Sequence, residues 1–218
     1  MSNNEKVAII TGASQGIGAG LARAYRERGY AVIAAARSIG TSEDPGVVTV
    51  EGDIADPDTA QRIVEAAVEH FGRIDTLINN AGIYIGKPFT GYTLEDFNAL
   101  TAVNLAGFFH ITTRTIEQML DRGAGHIVNV STTLVEYAES KTPAALQTLT
   151  KGGLAAVTRS LAIEYASRGL RVNAVSLGVI KTHDAAPMQG WVRCIPSVGW
   201  ARSMMWSVES YISSRRPS

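Results

Sequence analysis

Between residues 6 and 176, short runs of β-branched and small apolar residues alternate with longer stretches whose apolar positions recur every three and four residues. A strand buried on both faces reads as one apolar run, and strands separated by helices build parallel βαβ units. The pattern predicts strands near 6–11, 30–36, 47–51, 75–79, 125–131 and 170–176, with helices over 16–28, 57–71, 93–121 (as two helices) and 143–168. The expected class is α/β, a doubly wound parallel sheet of six strands with helices on both faces. End signals agree: Asp56 is an N-cap before Pro57 at the first helical position, and Gly72 closes that helix.

Composition narrows the function classes. A chain of 218 residues supports one sizeable core, and 45% hydrophobic with 18% charged residues is neither disordered nor fibrous. Twenty basic and twenty acidic residues leave no global field for nucleic acid or an anionic membrane. No apolar run reaches membrane-spanning length, and the first residues lack the apolar stretch of a leader. The first 190 residues contain no cysteine, so a cytoplasmic location is expected. The single Cys194 and all three tryptophans, Trp191, Trp200 and Trp206, fall in the last 28 residues.

The first strand runs directly into Thr11-Gly12-Ala13-Ser14-Gln15-Gly16-Ile17-Gly18, and a helix follows. In that setting Gly12 permits the tight turn, Gly16 lets a pyrophosphate approach the backbone, and Gly18 lets helix pack on strand. Phosphate then sits at a helix N-terminus, as in a Rossmann-type fold. This motif, Asn79-Asn80-Ala81-Gly82 after the fourth strand, Asn104 in a Val-Asn-Leu segment, and Arg171-Val172-Asn173-Ala174-Val175-Ser176 together resemble the short-chain dehydrogenase/reductase family over roughly residues 5 to 182.

The resemblance implies a nicotinamide dinucleotide against Gly12, Ser14, Gln15, Gly16, Ile17 and Gly18, with Asp53 and Ile54 beside the adenine and Asn80, Ala81 and Gly82 along the adenosine ribose side. The second strand ends Ala34-Ala35-Ala36-Arg37-Ser38, with no acid to accept from a ribose 2′-hydroxyl and with an arginine fork suited to a 2′-phosphate. NADP(H) is favoured over NAD(H). By the same resemblance, Gly178 supports the nicotinamide ring, Thr182 meets its carboxamide, and the long helix packs in a homodimer or homotetramer.

The family pairs a catalytic tyrosine with a lysine four residues on, a spacing that puts both on one helix face. Tyr137 and Lys141 match those letters, but Thr142-Pro143 reads as the N-cap and first residue of the helix, which leaves both in a loop. Lys151 is instead in ungapped register with Arg171-Val172-Asn173, and four residues before it stands Gln147. An amide donates hydrogen bonds but gives up no proton near neutral pH. By resemblance Lys151 holds the nicotinamide ribose, Asn104 supports a relay, and Ser131 or Thr132 orients the substrate oxygen. The expected activity is hydride transfer between NADP(H) and a small-molecule carbonyl or secondary alcohol. The alternative, motivated by Gln147, is a catalytically impaired or non-catalytic dinucleotide-binding protein.

Residues 1–182 are expected to form the dinucleotide-binding domain, and 183–218 a poorly ordered tail unlike the family, with the family's last strand missing and the sixth strand left as a bare edge. Codons offer a cause. Met204-Met205-Trp206, read one base early, force Asp-Val, and Tyr211 to Pro217 can then encode Tyr-Leu-Glu-Ser-Ala-Pro, which resembles the family. We expect the chain from about residue 183 to be translated out of frame; a homologue carrying this same tail in frame would refute it.

Overall fold

The computed structural model describes residues 5–139 and 141–178 together with the backbone of the strand at 192–195. In chain order the elements are β1 (Val7–Thr11), α1 (Gly16–Glu27), β2 (Ala31–Ala36), β3 (Val47–Glu51), α2 (Pro57–Phe71), β4 (Thr76–Asn79), α3 (Leu94–Thr101), α4 (Gly107–Arg122), β5 (Gly125–Thr132), α5 (Ala145–Tyr165), β6 (Leu170–Leu177) and β7 (Val192–Ile195). A π-helical turn, Ala102–Ala106, joins α3 to α4 without a break in the helix.

One sheet runs β3-β2-β1-β4-β5-β6-β7, and its first six strands are parallel. The order reverses direction between β1 and β4, and this switch point opens a crevice beyond the carboxyl ends of both strands. Alternate residues of each strand face opposite layers. Val7, Ile9, Ile33, Leu77 and Ile127 pack with Ile63 of α2 and Ile111 and Met119 of α4, while Ala8, Ile10, Val32 and Ile78 pack with Leu21 and Tyr25 of α1. Helices therefore cover both faces, as the apolar strands require. No helix among the described residues is long and apolar enough to cross a membrane.

The predicted caps on α2 are present: the Asp56 carboxylate accepts from the Asp58 N–H at 3.0 Å, and Gly72 takes the left-handed conformation at φ 71°. Two expectations need correction. Helix α5 begins at Ala145, not at Pro143, because the Thr142 hydroxyl is engaged with Glu139 at 3.3 Å and Ala144 supplies the carbonyl that closes the first turn. The edge of β6 is also not bare. Val192–Ile195 pairs antiparallel with Ala174–Leu177, as an open row of backbone donors and acceptors invites from any extended segment. The order expected of residues 196–218 lies outside the described residues.

Candidate active site

At the crevice, β1 delivers the chain into a turn whose Gly12 and Gly16 have φ of 67° and 55°, values that side chains disfavour. A Cβ built on Gly18 would lie 2.0 Å from the Gly12 carbonyl oxygen and 2.7 Å from Asn80 Nδ2. Helix and strand approach each other at a distance only glycine permits. The loop after β4 is tied to the same turn: Asn80 Nδ2 donates to the carbonyls of Thr11 (2.9 Å) and Gly12 (3.1 Å). In return the Thr11 hydroxyl accepts from the N–H groups of Asn80 (3.1 Å) and Ala81 (3.0 Å). Gln15 gives α1 no side-chain cap and the first turn carries no acid, so the positive end of the helix dipole faces the crevice unopposed by a carboxylate.

The resulting cleft has a volume of about 680 Å³. It gathers Gly12, Ser14, Gln15, Gly16, Ile17, Gly18, Arg37, Asp53, Ile54, Asn80, Ala81 and Gly82 of the residues singled out from sequence for the dinucleotide; Lys151 and Gly178 are not among its lining residues, and Thr182 lies outside the described residues. Arg37 and Ser38 stand at its rim, at the end of β2, both exposed. Ile83 and Val103 line it as well, and sequence gave neither a role; both are ordinary apolar residues whose proximity depends on the fold of the loop after β4.

The catalytic candidates meet where β5, α5 and the π-helical turn converge. Lys151 is 6% exposed, and its ammonium donates to the Val130 carbonyl at 2.8 Å. Burial pulls its pKa down from the ordinary lysine value to about 8. Asn104, on the π-helical turn, bonds outward to the loop after β4: its Oδ1 accepts from the Ile83 N–H at 3.1 Å and its Nδ2 donates to the Ile83 carbonyl at 3.3 Å. It also donates to the Thr150 hydroxyl at 3.2 Å, which makes Thr150 a supporting residue that sequence did not flag. Gly82 closes the cluster; a Cβ there would come 3.1 Å from Lys151 Nζ and 3.2 Å from Asn104 Oδ1.

The two hydroxyl candidates separate. Ser131 is buried and donates to the Lys151 carbonyl at 3.3 Å, pinning α5 to the end of β5. The Thr132 hydroxyl accepts from the Leu134 N–H at 3.3 Å and so caps the turn that follows. Gln147 is 7% exposed on the same face of α5 as Lys151, and its Oε1 is buried without a hydrogen-bond partner among the described residues. Tyr137 and Lys141 lie in the segment between β5 and α5, with Tyr137 60% exposed. Gly178 follows β6 and is half-buried, and Thr182 lies outside the described residues.

Comparisons with known proteins agree with this geometry. The family model described as short chain dehydrogenase matches residues 6–192. The 2-(R)-hydroxypropyl-CoM dehydrogenase of Xanthobacter autotrophicus is 36% identical over 200 residues, covering 85% of this chain and 77% of that protein. The 3-ketoacyl-(acyl-carrier-protein) reductase of Brucella melitensis, solved with NADH, superposes with a TM-score of 0.72 at 32% identity, over 79% of this chain and 75% of that one. ElxO, solved with NADP bound, superposes with a TM-score of 0.77 at 28% identity, over 83% of this chain and 76% of that one.

Proposed function

The chain belongs to the short-chain dehydrogenase family and is an oxidoreductase, and from that premise we propose that it transfers hydride between NADP(H) and a small carbonyl compound or secondary alcohol. The observation that carries the proposal is the cleft at the β1–β4 switch point, where glycine-only contacts and an uncapped helix N-terminus leave room and positive potential for a pyrophosphate. A nicotinamide dinucleotide, when bound, supplies or accepts the hydride.

The chain's own residues do the rest. Backbone groups of the turn from Gly12 to Gly18 hold the diphosphate, with Ser14, Gln15 and Ile17 along it. Asp53 and Ile54 border the adenine, and Asn80, Ala81 and Gly82 the adenosine ribose. Arg37 takes the 2′-phosphate with a planar fork; β2 itself ends without an acid, while Glu51 of β3 stands opposite Ala36 with its carboxylate turned to the Ile39 N–H at 3.5 Å. Lys151 holds the second ribose, Gly178 and Thr182 the nicotinamide side, and Ser131 or Thr132 the substrate oxygen, with Asn104 keeping the loop after β4 against Lys151.

The test is a thermal shift with NADPH against NADH on the whole chain, followed by dihydronicotinamide oxidation with a panel of ketones and aldehydes. Ligand at a hundred times its Kd adds about 2.7 kcal/mol of stability, so NADPH raises the melting temperature by several degrees and more than NADH does. No shift with either dinucleotide would overturn the proposal. A shift without turnover of any carbonyl would favour the non-catalytic alternative.

A further inference from the structure

We propose that Lys151, and not a tyrosine, delivers the proton to the substrate oxygen in this chain, with Gln147 as the neighbouring hydrogen-bonding group. The inference rests on the proposed carbonyl reduction and identifies its missing acid. In the reductive direction the carbonyl carbon gains a hydride from a dihydronicotinamide while the oxygen gains a proton. That proton leaves Lys151 Nζ, which becomes a neutral amine and is recharged from water.

Geometry carries the assignment. Gln147 stands one turn before Lys151 on the buried face of α5, where an amide can align an oxygen but has no proton to give. Lys151 Nζ spends one of its three donors on the Val130 carbonyl and stands beside Asn104 and beside Gly82, the residue of this group that lines the cleft. Asn104 Oδ1 is held by the Ile83 N–H, and Ser131 by the Lys151 carbonyl, so neither offers a titratable proton near neutrality. The unpartnered Gln147 Oε1 is an acceptor that the protein leaves unfilled in a buried position; a substrate hydroxyl, or a water between that oxygen and Nζ, supplies the donor it lacks.

The groups packed around Lys151 make it a usable acid. Its ammonium meets Val130 of β5 and stands beside Gly82 of the loop after β4 and Asn104 of the π-helical turn, Ser131 bonds its backbone carbonyl, and Gln147 and Thr150 flank it along α5, all uncharged. Glu136 and Tyr137, in the turn packed against α5, are exposed, and burial is the cause of the lysine's lowered pKa of about 8. An ammonium with that pKa is protonated at neutral pH and releases its proton far more readily than an unperturbed lysine.

The experiment uses the full chain labelled with ¹³C-lysine, with Lys151→Arg and Gln147→Tyr as variants. In the free protein, one lysine Cε resonance should titrate near pH 8 and vanish in Lys151→Arg, apart from those of Lys6, Lys87, Lys141 and Lys181. NADPH-dependent ketone reduction by the wild type should fall with rising pH through the midpoint measured in its NADPH complex. Lys151→Arg keeps a cation that does not deprotonate, so it should still bind NADPH by fluorescence yet lose about 10²-fold or more in kcat, within the range general acids contribute. Gln147→Tyr should shift or remove the alkaline limb. Retained turnover in Lys151→Arg, absence of a resonance titrating near 8, or turnover that is absent from the wild type and appears only in Gln147→Tyr would each overturn the inference. Failure of every form to bind NADPH, or of both wild type and Gln147→Tyr to reduce any carbonyl, would overturn the proposed function itself.

Discussion

The two halves of the sheet solve different problems. In the half built on β1, β2, β4 and α1, fit is decided by backbone: glycines at positive φ, a helix touching a strand, and an asparagine bonded to turn carbonyls. In the half built on β5, β6 and α5, with the Asn79 end of β4 that adjoins it, buried polar side chains set the fit. Asn79 donates to Thr112 and Asn129 at 2.9 Å each, and Asn129 passes the chain on to Thr158 at 2.9 Å. Lys151, Gln147 and Ser176 are also buried there, and Ser176 Oγ, like Gln147 Oε1, has no partner among the described residues. A ligand cradle can be rigid and complete before the ligand arrives, whereas a reaction centre must keep protons, charges and open hydrogen-bonding positions in reserve.

The strongest way to break the first half is Gly18→Ala. The new methyl meets the Gly12 backbone oxygen at 2.0 Å, which no rotamer relieves, and we expect a loss of at least about 3 kcal/mol in urea unfolding and no NADPH-induced thermal shift. A gain of NADPH binding or unchanged stability would show that the cradle is softer than its geometry. Next in size, Asn129→Leu should cost about 2 kcal/mol by removing its two buried bonds, to Asn79 and to Thr158, which then keep only Thr112 and the Leu154 carbonyl, while the NADPH Kd changes less than about twofold. A large change in Kd would join the two halves energetically.

Acid should also separate them. His126, at the start of β5, has its pKa lowered to about 4 by burial first and by Arg171 second, and its Nε2 lies 2.9 Å from Asn173 Nδ2, placing the ring nitrogen there as the acceptor of a neutral histidine. The unfolded histidine takes a proton near pH 6.5, so its contribution is present above that value and is lost as pH falls toward 4. Because the ring keeps some solvent contact, we expect about 1.5 kcal/mol between pH 7 and 4.5, largely absent in His126→Gln. An unchanged pH profile in that variant would place the acid sensitivity elsewhere. The smallest effect concerns Arg37→Ala, which should weaken NADPH by about 1 kcal/mol, roughly fivefold, and leave NADH unchanged; equal loss for both would remove Arg37 from cofactor choice.

The cradle half was legible because its constraints are local. Gly12, Gly16 and Gly18 sit within one turn of chain, and the same short spacing carries the phosphate-binding logic. The other half was legible in residue types but not in contacts: Asn129 meets Asn79 and Thr158 across 50 and 29 positions, and no pattern along the chain announces such a network. Thr142-Pro143 has the letters of a helix start, yet Thr142 closes a turn onto Glu139 through both its N–H and its hydroxyl, and the helix starts two residues on. β7, with four residues and no period of its own, depends on the edge of β6 for its pairing and is invisible without it. Asn104 showed through its Val-Asn-Leu setting, although its bonds run to the loop after β4 and not to its own helix.

The π-helical turn around Asn104 has a meaning for how this helix can change. A helix that holds five residues in a wider turn carries one residue more than regular winding needs, with the flanking segments still in phase on either side. Deleting one residue from Ala102–Ala106 would therefore not scramble α4; it would let the helix wind regularly from Leu94 to Arg122 and keep Ile111, Thr115 and Met119 on their buried side. The shortened protein would fold as well or better, and Asn104 would swing off the Ile83 backbone. Activity, not stability, is the selective force that can retain such a surplus residue, and single-residue deletions across this helix would make it visible as one narrow window where the chain shortens without unfolding.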